Sequence, residues 1–140
     1  MSPLELQQSI ERFTGRFADA ITLAVHALRR AESVHQQRFL RRALLFASSA
    51  IDIAAGPHPK TNLVDMLVFI TLSRRTLECC WYSDGTKHML AALVELLAEC
   101  EAELWKTADL VIDDPQQWQI LELLQAWNAS STQYSGIRSV

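Results

Sequence analysis

Four ionisable residues stand where an apolar helix would otherwise run uninterrupted: Asp65, Arg74, Arg75 and Glu78. Taking such groups out of water is costly unless each finds an opposite charge and a full set of hydrogen bonds. On a helical wheel Arg74, Glu78 and Thr71 point the same way, Arg75 lies beside them, and Asp65 sits further round. Two chemistries fit. One is a polar site inside a helical bundle that grips an anion or a partner's charged group. The other is a structural network tying Arg74 or Arg75 to Glu78, and Asp65 to an arginine of the preceding helix. Buried ion pairs of the second kind fix helix register and also perturb pKa values without catalysing anything.

Other chemistries find less support. A di-iron bundle needs Glu-x-x-His on two helices and two further inward glutamates. The chain has one such spacing, Glu32 to His35, across an expected helix break. Cys79 and Cys80 are adjacent, Cys100 stands alone, and neither arrangement has zinc-ligand spacing. No metal or cofactor is expected. No nucleophile elbow, P-loop or dinucleotide-binding glycine pattern occurs, and four glycines are too few to build a phosphate cradle. No catalytic residue is assigned. Arg38, Arg41 and Arg42 share a basic face, but Asp52 and two serines continue it and no aromatic residue interleaves. Nucleic acid is therefore not an expected partner. A solvated face, or one docked on the acidic fourth helix, accounts for these arginines.

Five helical segments must position these residues, and the 140 residues, 49% of them apolar, suffice for one domain with its own core. The first runs from about Pro3 to Glu32, with a stripe through Leu6, Ile10, Phe13, Phe17, Ile21, Ala24, Leu28 and Ala31. Ser2, Pro3 and Glu5 read as its cap. The second, Val34 to Ala55, gathers Phe39, Leu40, Ala43, Phe46, Ala47, Ala50 and Ala54 on one side and stops at Gly56-Pro57-His58-Pro59. The third, Thr61 to about Trp81, is apolar on every side and belongs at the centre of the fold, with Thr61 or Asn62 as its cap. After a turn over Ser83-Asp84-Gly85-Thr86, the fourth runs from Lys87 to Val111 along Met89, Leu93, Leu96, Leu97, Cys100, Leu104 and Ala108. The fifth opens at Asp114-Pro115 and carries Ile120, Leu123, Leu124 and Trp127. The four tryptophans, Trp81, Trp105, Trp118 and Trp127, read as core or half-buried, with exposure of Trp118 at a contact surface as the alternative. Residues 1–128 form the expected domain and 129–140 a polar tail.

Charge divides unevenly. Residues 1–60 hold eight Lys/Arg and five Asp/Glu, net +3; residues 61–140 hold five and eleven, net −6, giving the overall −3. The evenly charged first segment does not read as a signal peptide, and three cysteines do not make a disulfide framework. A cytoplasmic setting follows as the expectation.

Several stretches carry a resemblance. Ala54-Ala55-Gly56-Pro57-His58-Pro59-Lys60-Thr61-Asn62-Leu63-Val64-Asp65-Met66 leads to Thr71-Leu72-Ser73-Arg74 and Glu78. Glu103-Leu104-Trp105-Lys106-Thr107-Ala108 and Gln125-Ala126-Trp127 follow. Together, over about residues 50–128, they resemble a family of uncharacterised bacterial proteins with an N-terminal helical region followed by predicted transmembrane helices. The resemblance implies no activity or cofactor, only a position at the inner face of the membrane. Val140 arrives before any such membrane segment, so the chain reads as a soluble relative or as the cytosolic part of a longer protein.

The expectation is an all-α five-helix bundle with a central third helix. It serves either as a non-enzymatic interaction or scaffold module for a protein partner or a second copy of itself, or as a small-ligand-binding bundle or enzyme built on Asp65, Arg74, Arg75 and Glu78. An exposed apolar patch marks the first, and an enclosed void with those four groups converging on it marks the second.

Overall fold

The computed structural model describes residues 1–31, 33–78 and 84–131. They form five helices: α1 (Pro3–Arg30), α2 (Val34–Ala54), α3 (Pro59–Glu78), α4 (Asp84–Val111) and α5 (Pro115–Ser131). No strand occurs among the described residues. Glu32, the Cys79-Cys80 pair, Trp81, Ser83 and the tail from residue 132 lie outside them.

The core positions of three helices repeat every seven residues. In α1 the buried set is Leu6, Phe13, Ala20 and Ala27, interleaved with Ile10, Phe17 and Ala24. In α2 it is Gln36, Ala43 and Ala50 with Leu40, Ala47 and Ala54. In α4 it is Leu90, Leu97, Leu104 and Val111 with Leu93, Cys100 and Thr107. A spacing of 3.5 is that of helices packed at a shallow left-handed angle, as in antiparallel four-helix bundles. It also explains one departure from the sequence reading. A stripe drawn at 3.6 drifts onto Ile21 and Leu28, whereas the seven-residue repeat selects Ala20 and Ala27, and the larger pair is only half-buried.

Helices α1 to α4 close a ring in which each touches its neighbours, and α3 additionally touches α1 across the bundle and α5 on the outside. The third helix is therefore the central element. α5 runs parallel to α3: Gln117 Nε2 donates to Thr61 Oγ1 at 3.4 Å near one end, and Asn128 meets Arg74 towards the other.

Helix ends follow local chemistry, with three shifts from expectation. Ser2, Ser33 and Asp114 cap α1, α2 and α5, each side chain accepting a first-turn backbone N–H at 2.9–3.1 Å. α3 starts two residues early, at Pro59, which suits the first helical position because its missing N–H needs no partner. Asn62 is thereby freed from capping α3, and its Nδ2 donates to the Gly56 carbonyl at 2.9 Å, closing the end of α2. A Cβ on Gly56 would sit 3.1–3.2 Å from the Asn62 amide, so this glycine serves close approach; no described glycine has positive φ. α4 starts at Asp84 because the residues that read as a turn also suit a helix's first turn, where an acid favours the dipole. α5 continues through Asn128 to Ser131, past the expected boundary.

Gly15 lies exposed in the middle of α1, and a Cβ there would meet nothing within 4 Å. Gly15→Ala should therefore raise stability by about 0.5–1 kcal/mol in urea unfolding. Ala50→Leu, at a fully buried position of α2, should lower it by about 1–3 kcal/mol.

Candidate functional site

Arg74 is the centre of the polar cluster. Its Nε donates to Glu101 Oε2 at 2.5 Å, and its Nη2 to Glu101 Oε1 at 3.2 Å. The Nη1 group reaches Glu78 Oε1 at 3.0 Å, and Nη2 also reaches Asn128 Oδ1 at 2.8 Å. Thr71 Oγ1 donates to Glu101 Oε1 at 3.0 Å, and Arg75 Nη1 to Glu78 Oε2 at 2.6 Å. Arg74, Arg75, Thr71 and Glu101 are all buried, and Glu78 nearly so. One guanidinium thus links three helices: its own α3, α4 through Glu101, and α5 through Asn128.

The i,i+4 step from Arg74 to Glu78 and the i,i+3 step from Arg75 to Glu78 are the helix spacings at which side chains meet. Burial pushes the Arg74 guanidinium down, but the hydrogen bonds and charges of Glu101 and Glu78 outweigh it and leave it above its ordinary value. Two cations face two carboxylates, so the cluster is neutral as a unit. Every carboxylate oxygen in it already accepts a hydrogen bond. Such an arrangement clamps helices; it offers a substrate no unengaged base.

Asp65 does not join this cluster. It lies exposed on α3, with no ion pair among the described residues, and desolvation by its surroundings raises its carboxyl above the ordinary value. The expected tie to an arginine of α2 is not made. Arg38, Arg41 and Arg42 are likewise exposed, and among the described residues none is in a salt bridge. The acidic side of α4 is engaged elsewhere: Arg16 of α1 takes Glu99 at 2.8 Å and Glu103 at 2.6 Å. Docking of the α2 arginines on α4 is thus replaced by an α1–α4 contact, and Arg42 instead lies over the Phe39 ring at 5.9 Å.

Two members of the cluster, Glu101 and Asn128, were missed from sequence. Their spacing carries the signal. Glu101 falls between Leu97, Leu104 and Ala108 on the buried face of α4, where a carboxylate requires a buried cation. Asn128 continues the α5 series Leu121 and Leu124.

Cys100 is buried, and desolvation pushes its thiol up to about 11, so it carries no thiolate at neutral pH. No group of three or more His, Cys, Asp or Glu among the described residues could hold a metal ion. A hollow of about 410 Å³ at one end of the bundle is lined by Met1, Leu6, Pro59, Leu110 and Val111, with Lys60 and Asp113 3.8 Å apart at its edge.

The other notable surface feature is apolar. A groove of about 360 Å³ between α2 and α5 is lined by Phe39, Arg42, Phe46, Leu72, Arg75, Thr76 and Trp127. The Phe46 ring also packs against Phe69, with centroids 6.2 Å apart. Beside the groove α5 turns Ile120, Leu123 and Trp127 outward, with exposures of 48%, 72% and 40%. Of the apolar residues expected on α5, Leu124 faces the bundle together with Trp118, Leu121 and Asn128, while Ile120, Leu123 and Trp127 do not. Trp118 is half-buried, in line with core placement of the tryptophans, and donates its Nε1 to the Ile112 carbonyl at 2.7 Å. Trp127 occupies the exposed position instead.

The chain matches no family model, no curated protein and no solved structure.

Glu101→Ala would leave Arg74 buried with only Glu78 and Asn128. It should cost about 3–5 kcal/mol in denaturant unfolding, whereas Asp65→Ala, on the exposed side of the same helix, should change stability by less than about 0.5 kcal/mol.

Proposed function

We propose that this chain is a non-enzymatic helical interaction module, binding a protein partner through the surface formed by α2 and α5. The observation that carries the reading is the contrast between its two conspicuous features. The buried charges neutralise one another and surround no void. The exposed surface joins Ile120, Leu123 and Trp127 to an aromatic groove and to arginines without carboxylate partners among the described residues.

Large exposed apolar side chains in a cluster mark interaction surfaces, and tryptophan with arginine is the pairing most often found to dominate binding energy. A ligand-binding bundle would place its polar groups around an enclosed cavity. Here, Asp65 stands apart from Arg74, and Arg75 alone of the four borders the groove. No helix among the described residues is long and apolar enough to cross a membrane. The resemblance to a membrane-anchored bacterial family supports a cytosolic position beside the membrane for the module.

The test separates surface from cluster. Tagged chain recovered from its native host after crosslinking should carry a specific partner. A Leu123→Glu/Trp127→Glu variant should lose that partner while keeping its helicity and melting temperature. A Glu101→Gln variant, which removes a carboxylate that a ligand-binding or catalytic cluster would need but leaves the link from Arg74 to Asn128, should keep it. Loss of the partner in the cluster variant alone, with its retention in the surface variant, would contradict the proposal.

A further inference from the structure

Resting on the interaction reading, we infer that the groove between α2 and α5 receives an amphipathic helix of a partner protein whose flanks are acidic. Its floor is the α3 edge that presents Leu72, Arg75 and Thr76, of which Leu72 and Thr76 are half-buried one helical turn apart. Phe39 and Phe46 of α2 form one wall, and Trp127 of α5 closes the other. Phe39 to Phe46 on α2 spans seven residues, or about 10 Å of helix, with Trp127 of α5 facing it. That length matches two turns of an incoming helix, with apolar anchors at i, i+3, i+4 and i+7.

Charge selects the occupant. Arg42 lines the groove, Arg38 precedes it by one helical turn, and Arg41 is its neighbour in the chain. All three are exposed, and the α2 acid, Asp52, lies ten residues beyond Arg42, about 15 Å along the helix. Arg75, at the floor, is held by Glu78 at 2.6 Å. On α5, the charged residue Glu122 is exposed one position from the apolar stripe and faces away from Trp127 by helical phase. The α2 rim is therefore cationic and uncompensated, which favours carboxylates on the partner and disfavours lysines. Asp65, the exposed acid on this side of α3, lies outside the groove lining, seven residues or about 10 Å of helix before Leu72.

Concavity distinguishes this partner from a lipid surface. Phe39, Phe46 and Leu72 are only half-exposed below the rim of Arg42 and Trp127, where a flat bilayer would touch the rim and leave the floor unfilled. A strand is also excluded as the natural guest, because the fold presents helices and no described sheet edge to extend.

The experiment uses two fluorescein-labelled peptides of about three turns with identical leucine anchors, one flanked by glutamates and the other by lysines. Fluorescence polarisation should show the acidic peptide binding about tenfold or more tightly than the basic one, with Trp127→Ala weakening it by a similar factor at unchanged melting temperature. Arg38→Glu/Arg42→Glu should reverse the preference. Binding whose charge preference ignores both variants would overturn the groove assignment while leaving the interaction reading to the recovery experiment described above. Binding of neither peptide would overturn it as well. Two further results would do the same: capture by phosphatidylserine vesicles that those variants abolish without any peptide binding, or a dimer in sedimentation that they dissociate.

Discussion

A guanidinium buried between helices must be matched where it lies, and Arg74 is the constraint on which the rest of this fold depends. Removing an ion from water costs several kcal/mol even after relaxation, and only near-complete hydrogen bonding in the folded state offsets it. Glu101 supplies a two-point contact from α4, Glu78 a second carboxylate from α3 itself, and Asn128 a neutral acceptor from α5. These three partners fix the rotation of α4 and the longitudinal position of α5 on α3 far more narrowly than apolar contacts alone would. Leucines tolerate sliding by fractions of a turn, whereas a forked donor does not.

This constraint has its largest consequence at α5. The four-helix ring is closed by seven-residue repeats of leucine, alanine and phenylalanine, which leave α5 outside. It is held by Leu121, Leu124, the Trp118 indole and Asn128, on a single face. With that face set, Ile120, Leu123 and Trp127 have no direction available except outward. The surface assigned to partner binding is thus a product of the register that Arg74 imposes, and the α2 arginines stand across the groove from it.

Much of the fold was legible because helical periodicity is a strong signal over long segments. The stripes of α2 and α4, that of α1 apart from Ile21 and Leu28, the apolar third helix and the caps at Ser2 and Asp114 follow from residue type and spacing. Arg74, Arg75 and Glu78 were legible for the opposite reason, as charges that an apolar helix cannot leave unpaired. Glu101 was hidden by composition: among Glu95, Glu99 and Glu103 it looks like one more exposed acid, and only its phase with Leu97 and Leu104 separates it. The phase of α5 was obscured because that helix is apolar on two sides, so Leu123 and Trp127 suit a core stripe as well as Leu121 and Leu124 do. Asp65 was drawn into the cluster by its type, although its helical phase carries it to the opposite, solvent-facing edge of α3.

The central claim is that the buried network, through Asn128, holds α5 in register on an otherwise self-sufficient bundle. Amide hydrogen exchange on Asn128→Ala tests it most directly, because that change removes the α5 link and leaves both carboxylates with Arg74. A hydrogen bond to a charged group is worth about 1.5–3 kcal/mol, so protection over 115–131 should fall by about tenfold or more while α1 to α4 keep theirs. Unchanged protection in α5, or an equal loss across all five helices, would contradict the account.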